Sequence, residues 1–160
     1  MELSVLRSKL SRFNNLSMIE KRLFFLSLFL FIVFKVVIAI LPFKYYIKFI
    51  KRQNGKNETS IETLKIIRTA IQRASNLTKF KNNCLVSSMT ARYIASKMDI
   101  KTEFHIGAKM SVTNNNSSNV EAESKTNNKP SKIDAHAWLT AGEYEIVKKG
   151  TSNFKELLVL

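Results

Sequence analysis

Between Leu23 and Phe43 the chain runs LFFLSLFLFIVFKVVIAILPF, an apolar stretch interrupted only by Ser27 and Lys35. Coiled as a helix, that stretch is long enough to cross a bilayer. On an insertion scale, roughly 15 strongly apolar residues at about −0.3 to −0.6 kcal/mol each outweigh one central lysine at about +3 kcal/mol. The flanks give no orientation. Arg7, Lys9, Arg12, Lys21 and Arg22 precede the run, and Lys44, Lys48, Lys51, Arg52 and Lys56 come after it, whereas a spanning helix usually carries its positive charge on one side. The long charged leader and the lack of a small-residue cleavage site argue against a secretory signal. Three arrangements remain: a single transmembrane helix over 23–43, a helix buried in a domain core, or a helix lying in the membrane interface. At 160 residues the chain is the size of one domain with a modest core.

Charge narrows the partners. Lys plus Arg number 26 against 12 Asp plus Glu, a net charge of +14. Such a balance favours anionic lipid, nucleic acid or an acidic peptide. The basic residues are dispersed rather than gathered in one stripe, so nucleic acid is not expected. Cys84 is the only thiol, which excludes an internal disulfide and an all-cysteine zinc site. His105 and His136 are the only imidazoles, too few ligands for a chain-internal metal site. No metal and no cofactor is expected.

The chain divides into a basic N-terminal segment 1–22, a hydrophobic and amphipathic helical segment 23–52, and a domain over 53–160 with a polar insertion at 111–132. Past Pro42, FKYYIKFIKR mixes aromatics with lysines and reads as an amphipathic helix suited to an anionic surface. Thr59-Ser60-Ile61-Glu62 fits a capping box, with Ile61, Leu64, Ile67, Ile71 and Ala74 at helical spacing after it. Asn82 or Asn83 caps a further helix running to about Met98, with Cys84 in its first turn. Thr102, Phe104, Ile106 and Ala108 alternate against Lys101, Glu103 and His105, which is strand period. DAHAWLT alternates again, and Ala141-Gly142 suggests a hairpin into EYEIVKK.

The chemistry centres on Cys84. At a helix N-terminus, the backbone N–H groups and the helix dipole stabilise a thiolate. Thiol catalysis also needs a base within hydrogen-bond reach. His136 sits in an apolar strand between Ala135 and Ala137, small neighbours that leave room for a substrate chain, with Trp138 as a wall. His105 shares its face with Lys101 and Glu103, which points to solvent.

The order helix-Cys, strand, strand-His, strand resembles the papain-like and transglutaminase-like superfamily. More narrowly, the chain resembles the lasso-peptide biosynthesis B proteases, the transglutaminase-like C-terminal domain of microcin-processing proteins. The residues that carry this are EKRLFFLSLFLFIVFKVVIAILPFK, CLVSSMTARYIASKMDIKTEFHIGA, AHAWLTAGEYEIV and the closing NFKELLVL, together covering roughly residues 19–160. The resemblance implies an α+β papain/transglutaminase-like fold: N-terminal helices, a central nucleophile helix, and a small antiparallel sheet bearing His136. It implies a cysteine peptidase that removes the leader from a ribosomally made precursor peptide, with Cys84 as nucleophile and His136 as base. The implied partners are the precursor, a separate leader-recognition protein and a macrolactam synthetase. The implied location is cytoplasmic, with 23–43 bringing the protein to a membrane. The chain departs from the family at the third catalytic position, an Asp on the strand after the histidine, where Lys148 stands. A two-residue turn would set Val147 opposite His136, with Glu145 on the same face as a possible substitute. The alternative is a catalytically impaired, membrane-associated accessory protein that binds the precursor.

Overall fold

The computed structural model describes residues 17–52, 55–78, 83–111, 132–150 and 153–160. In chain order these form α1 (Met18–Ile40), α2 (Phe43–Arg52), α3 (Ile61–Thr78), α4 (Asn83–Lys97), β1 (Glu103–Ser111), β2 (Lys132–Ala141), β3 (Tyr144–Val147) and β4 (Lys155–Val159). The fold is mixed α+β, with four helices and one antiparallel sheet among the described residues. Most of the basic N-terminal segment and of the 111–132 insertion lies outside the described residues.

The apolar run is not one helix. A residue before proline is driven out of helical geometry. Leu41 is accordingly extended (φ −95°, ψ 136°), so α1 stops at Ile40 and α2 starts just after Pro42. The start of α1 is held by a cap inside the segment that charge alone assigns to a basic leader. The Ser17 N–H donates to the Glu20 carboxylate at 3.0 Å, the reciprocal half of a capping box. One side of α1, carrying Ser27, Leu30, Phe31 and Phe34, is buried. It packs on α3 and α4, and the Ser27 hydroxyl is satisfied by the Leu23 carbonyl at 2.7 Å.

The cap of α3 is Ser60 rather than Thr59. The Thr63 N–H donates to Ser60 Oγ at 3.4 Å, and the two hydroxyls lie 3.1 Å apart. Starting one residue later leaves Ile61 exposed in the first turn, ahead of the buried row Leu64, Ile67, Ala70, Ile71 and Ala74.

Helix α4 is the centre of the molecule. It packs on α1, α2 and α3 and on β2 and β3, so it is buried on nearly every side from Val86 to Ala95. That explains its lack of an apolar stripe: small Ser, Thr and Ala positions let neighbours close in all round. Arg92 is buried here and donates from Nε to the Ile50 carbonyl (3.0 Å) and from Nη1 to the carbonyls of Thr102 (3.1 Å) and Leu160 (2.9 Å). It ties α2, the approach to β1 and the end of β4 to the central helix. One core cluster joins Leu30 and Phe34 of α1, Tyr46 and Ile50 of α2, and Phe104, Ala137, Leu139 and Ile146 of the sheet. Segment 23–52 therefore shares one core with the α3, α4 and sheet region rather than standing apart from it.

The strand order is β3–β2–β1–β4. The β2–β3 turn is Gly142-Glu143 rather than Ala141-Gly142, because Ala141 pairs with Tyr144. Gly142 takes the positive φ (57°) that a tight hairpin needs and that alanine would resist. A bulge between Leu139 and Thr140 then sets Leu139 opposite Val147 and Thr140 opposite Glu145. Val147 therefore does not face His136, whose partner on β1 is Gly107.

Candidate active site

Strand alternation divides β2 between two faces. Ala137 and Leu139 enter the core beneath the helices. His136, Trp138 and Thr140 take the other face, where the register adds His105 of β1. Trp138 is buried yet stands outside the main cluster. Its ring lies over Gly107, where a Cβ would come within 3.0 Å of the indole. The His105 ring stacks on it at 5.2 Å and 1°, the His136 ring at 6.1 Å and 18°, and Lys149 Nζ sits 5.0 Å from its centre. Phe154 stacks on His136 at 4.9 Å. Trp138 thus carries both imidazoles instead of walling a groove.

His136 Nε2 lies 3.0 Å from the main-chain oxygen of Lys148. A carbonyl only accepts, so Nε2 carries the hydrogen and Nδ1 of the neutral ring holds the free lone pair. Lys148, expected to stand in place of an acid, therefore supplies its backbone to His136, not its side chain. Glu145 shares the face through its pairing with Thr140. Its carboxylate makes no hydrogen bond to His136 among the described residues, and its carbonyl accepts from Arg68 Nη1 at 3.3 Å.

Cys84 is the second residue of α4 and half-buried. Beside it, Asn83 Nδ2 donates to the carbonyl and hydroxyl of Ser75 (3.4 and 3.2 Å), pinning the start of α4 to the last turns of α3. The Asn83 Oδ1 is enclosed and accepts no hydrogen bond among the described residues. One helical turn beyond Cys84, Ser87 lines a cleft of about 310 Å³ with Arg68, Gln72, Ser75 and Asn76 of α3 and with Ile146, Val147 and Lys148. That cleft joins α4, the later turns of α3 and the exit of β3, and Lys148 links it to His136. Among the described residues no hydrogen bond joins Cys84 Sγ to His136.

His105 is not the solvent-facing residue that its charged neighbours suggest. Its side chain is only 12% exposed. Its Nδ1 lies 2.5 Å from Glu156 Oε1 and its Nε2 3.1 Å from Thr140 Oγ1. The carboxylate comes from β4, which pairs with the far edge of β1. No local pattern around His105 announces it; the one sequence signal is the closing NFKELLVL, which contains Glu156.

A larger cavity of about 470 Å³ lies between the start of α3, the approach to β1 and the β2–β3 turn. It contains Glu58, Lys101, Glu103 and Glu143 but neither the thiol nor an imidazole, so volume alone does not mark the chemistry. No group of three metal-ligating side chains occurs among the described residues. No protein-family model, curated protein or solved structure matches this chain.

Proposed function

We propose that the protein is a cysteine-dependent leader peptidase of lasso-peptide maturation, with a papain/transglutaminase-like catalytic arrangement. The observation that carries this is the lone thiol, Cys84, in the first turn of the central helix of a fold whose sheet bears a histidine oriented by the Lys148 carbonyl. The cleft beside Lys148 offers the Arg68 guanidinium with the amide and hydroxyl groups of Gln72, Ser75, Asn76 and Ser87, able to hold an extended peptide. The Cys84 thiolate attacks the scissile carbonyl. His136 takes the thiol proton and returns it to the departing amine of the core peptide. Water then cleaves the thioester left on Cys84 and releases the leader. Catalytic hydrogen bonds are often long before substrate binds and close only in the complex, so this chemistry does not require a thiol–imidazole hydrogen bond in the free protein. A separate leader-recognition protein delivers the precursor, a macrolactam synthetase closes the core peptide, and the location is the cytoplasm, where the precursor is made.

The direct test is to incubate the protein, the leader-recognition protein and the precursor, and to monitor the precursor mass. Cys84→Ala is expected to abolish cleavage without unfolding the chain. Unchanged cleavage by that variant removes the assignment. A second reading, that the protein binds and presents the precursor without cutting it, is favoured by His136 being held on Phe154 and Lys148 with no hydrogen bond to Cys84 among the described residues. Precursor binding with no cleavage by the wild-type protein would select it.

A further inference from the structure

Helix α1 is apolar on all sides but buried on only one. Opposite Ser27, Leu30, Phe31 and Phe34 stand Phe25, Phe29, Ile32, Val36 and Ile40, each at least 50% exposed. Their spacing of three or four residues makes one continuous row along the helix. A helix apolar all round belongs in an apolar medium on every side, and the domain supplies that medium to half of α1. The row continues through Leu41 into Phe43, also exposed. Cations border it at both ends. Lys21 and Arg22 stand in the first turns, and Lys44, Lys48, Lys51 and Arg52 occupy the exposed side of α2 next to Tyr45 and Phe49.

We propose that this row of α1, with the basic side of α2, docks the protein in the plane of an anionic lipid surface. A spanning α1 would have to abandon the packing of Phe31 and Phe34 on α3 and α4, or carry those helices, with exposed Lys65 and Gln72, into hydrocarbon. An in-plane helix keeps the core intact and gives its outer face the apolar boundary of the headgroups. The bordering lysines and arginines select a negative surface, as does the net charge of +14. Each basic residue near such a surface strengthens binding roughly fivefold. Aromatic and lysine side chains mixed along α2 suit the headgroup layer, where rings and aliphatic stems sit in the boundary and charges reach water. The inference stands independently of the peptidase proposal.

The test is flotation of the full chain with vesicles of phosphatidylcholine alone and of phosphatidylcholine mixed with phosphatidylglycerol. The expected result is binding to the mixed vesicles, weakened by salt and reversed by alkaline carbonate. Phe29→Ser should weaken binding by about tenfold, the worth of roughly one aromatic side chain withdrawn from water. Lys44→Gln with Lys48→Gln should weaken binding to the mixed vesicles and leave any residual binding to neutral vesicles unchanged. All these positions are exposed, so the thermal melt of the lipid-free protein should not move. Resistance to carbonate would overturn the in-plane placement. A concentration-dependent dimer dissolved by Phe29→Ser, without vesicle binding, would assign the row to a second copy and overturn the proposal. A monomer that binds no vesicle overturns it outright.

Discussion

The imidazole of His136 is oriented by the main chain of Lys148, with 3.0 Å between Nε2 and the carbonyl oxygen. Under the proposed peptidase reading, an acidic side chain would be expected to hold the histidine at that place. Here a backbone carbonyl fixes the tautomer, and among the described residues no carboxylate hydrogen-bonds to the ring.

Because the carbonyl and not the amine makes this contact, the identity of side chain 148 should matter little. Lys148→Ala should leave kcat/KM for leader removal within about threefold of wild type, the scale of an ordinary surface substitution. His136→Ala should lose cleavage. Comparable losses in both variants would mean that the lysine side chain itself takes part.

His105 should be structural. Its bonds to Glu156 and Thr140 and its stacking on Trp138 join β4, β1 and β2. His105→Ala should lower unfolding free energy by about 1–3 kcal/mol, the range for losing a largely buried hydrogen-bonded group. Per folded molecule, cleavage should persist. Urea unfolding beside an activity assay checks both, and full stability with lost cleavage would place His105 in the catalytic machinery instead.

The two sides of α1 should answer differently to truncation. Phe31 is fully buried, and Phe31→Ala should destabilise the domain by about 3–5 kcal/mol. Phe29 is 63% exposed, and Phe29→Ala should change stability by less than about 0.5 kcal/mol. Equal effects would mean that α1 does not pack on the domain in solution.

Much of the fold is legible in the residues. The break at Pro42, the helix with Cys84 in its first turn and the strand alternation around Phe104 and Trp138 all obey local rules. The failures have physical causes too. In α1 nearly every position is apolar, so no periodicity separates the side that packs from the side that does not. The turn falls one residue later than Ala141-Gly142 suggests because Gly142 takes the first turn position, where positive φ is needed. His105 reads as solvated because alternation reports only the face of a strand, while Glu156 arrives from β4, some fifty residues away in the chain. The same limit applies to His136: its spacing from Cys84 carries no information on which side of β2 the ring turns.

Arg92 offers a test of the central helix. Burial pushes its guanidinium down to about 10. Between that value and the ordinary arginine range the folded chain binds fewer protons than the unfolded one, so stability rises with pH in that window; below it both states are protonated and the slope vanishes. Arg92→Ala should therefore destabilise equally at mildly acidic and mildly alkaline pH. The loss should be about 2–5 kcal/mol, because buried carbonyls lose their donors. Unfolding titrations at the two pH values check this, and a loss confined to one of them would contradict it.

The central claim is that Cys84 forms a covalent bond to the leader. The measurement is intact-mass analysis of the wild-type protein, quenched in acid shortly after mixing with precursor and leader-recognition protein. The account predicts a protein species heavier by the acylated leader, its peptide assigned to Cys84, absent from Cys84→Ala and sensitive to hydroxylamine as a thioester is. Leader release that continues in Cys84→Ala, with no adduct on the wild-type thiol at any time, would contradict it.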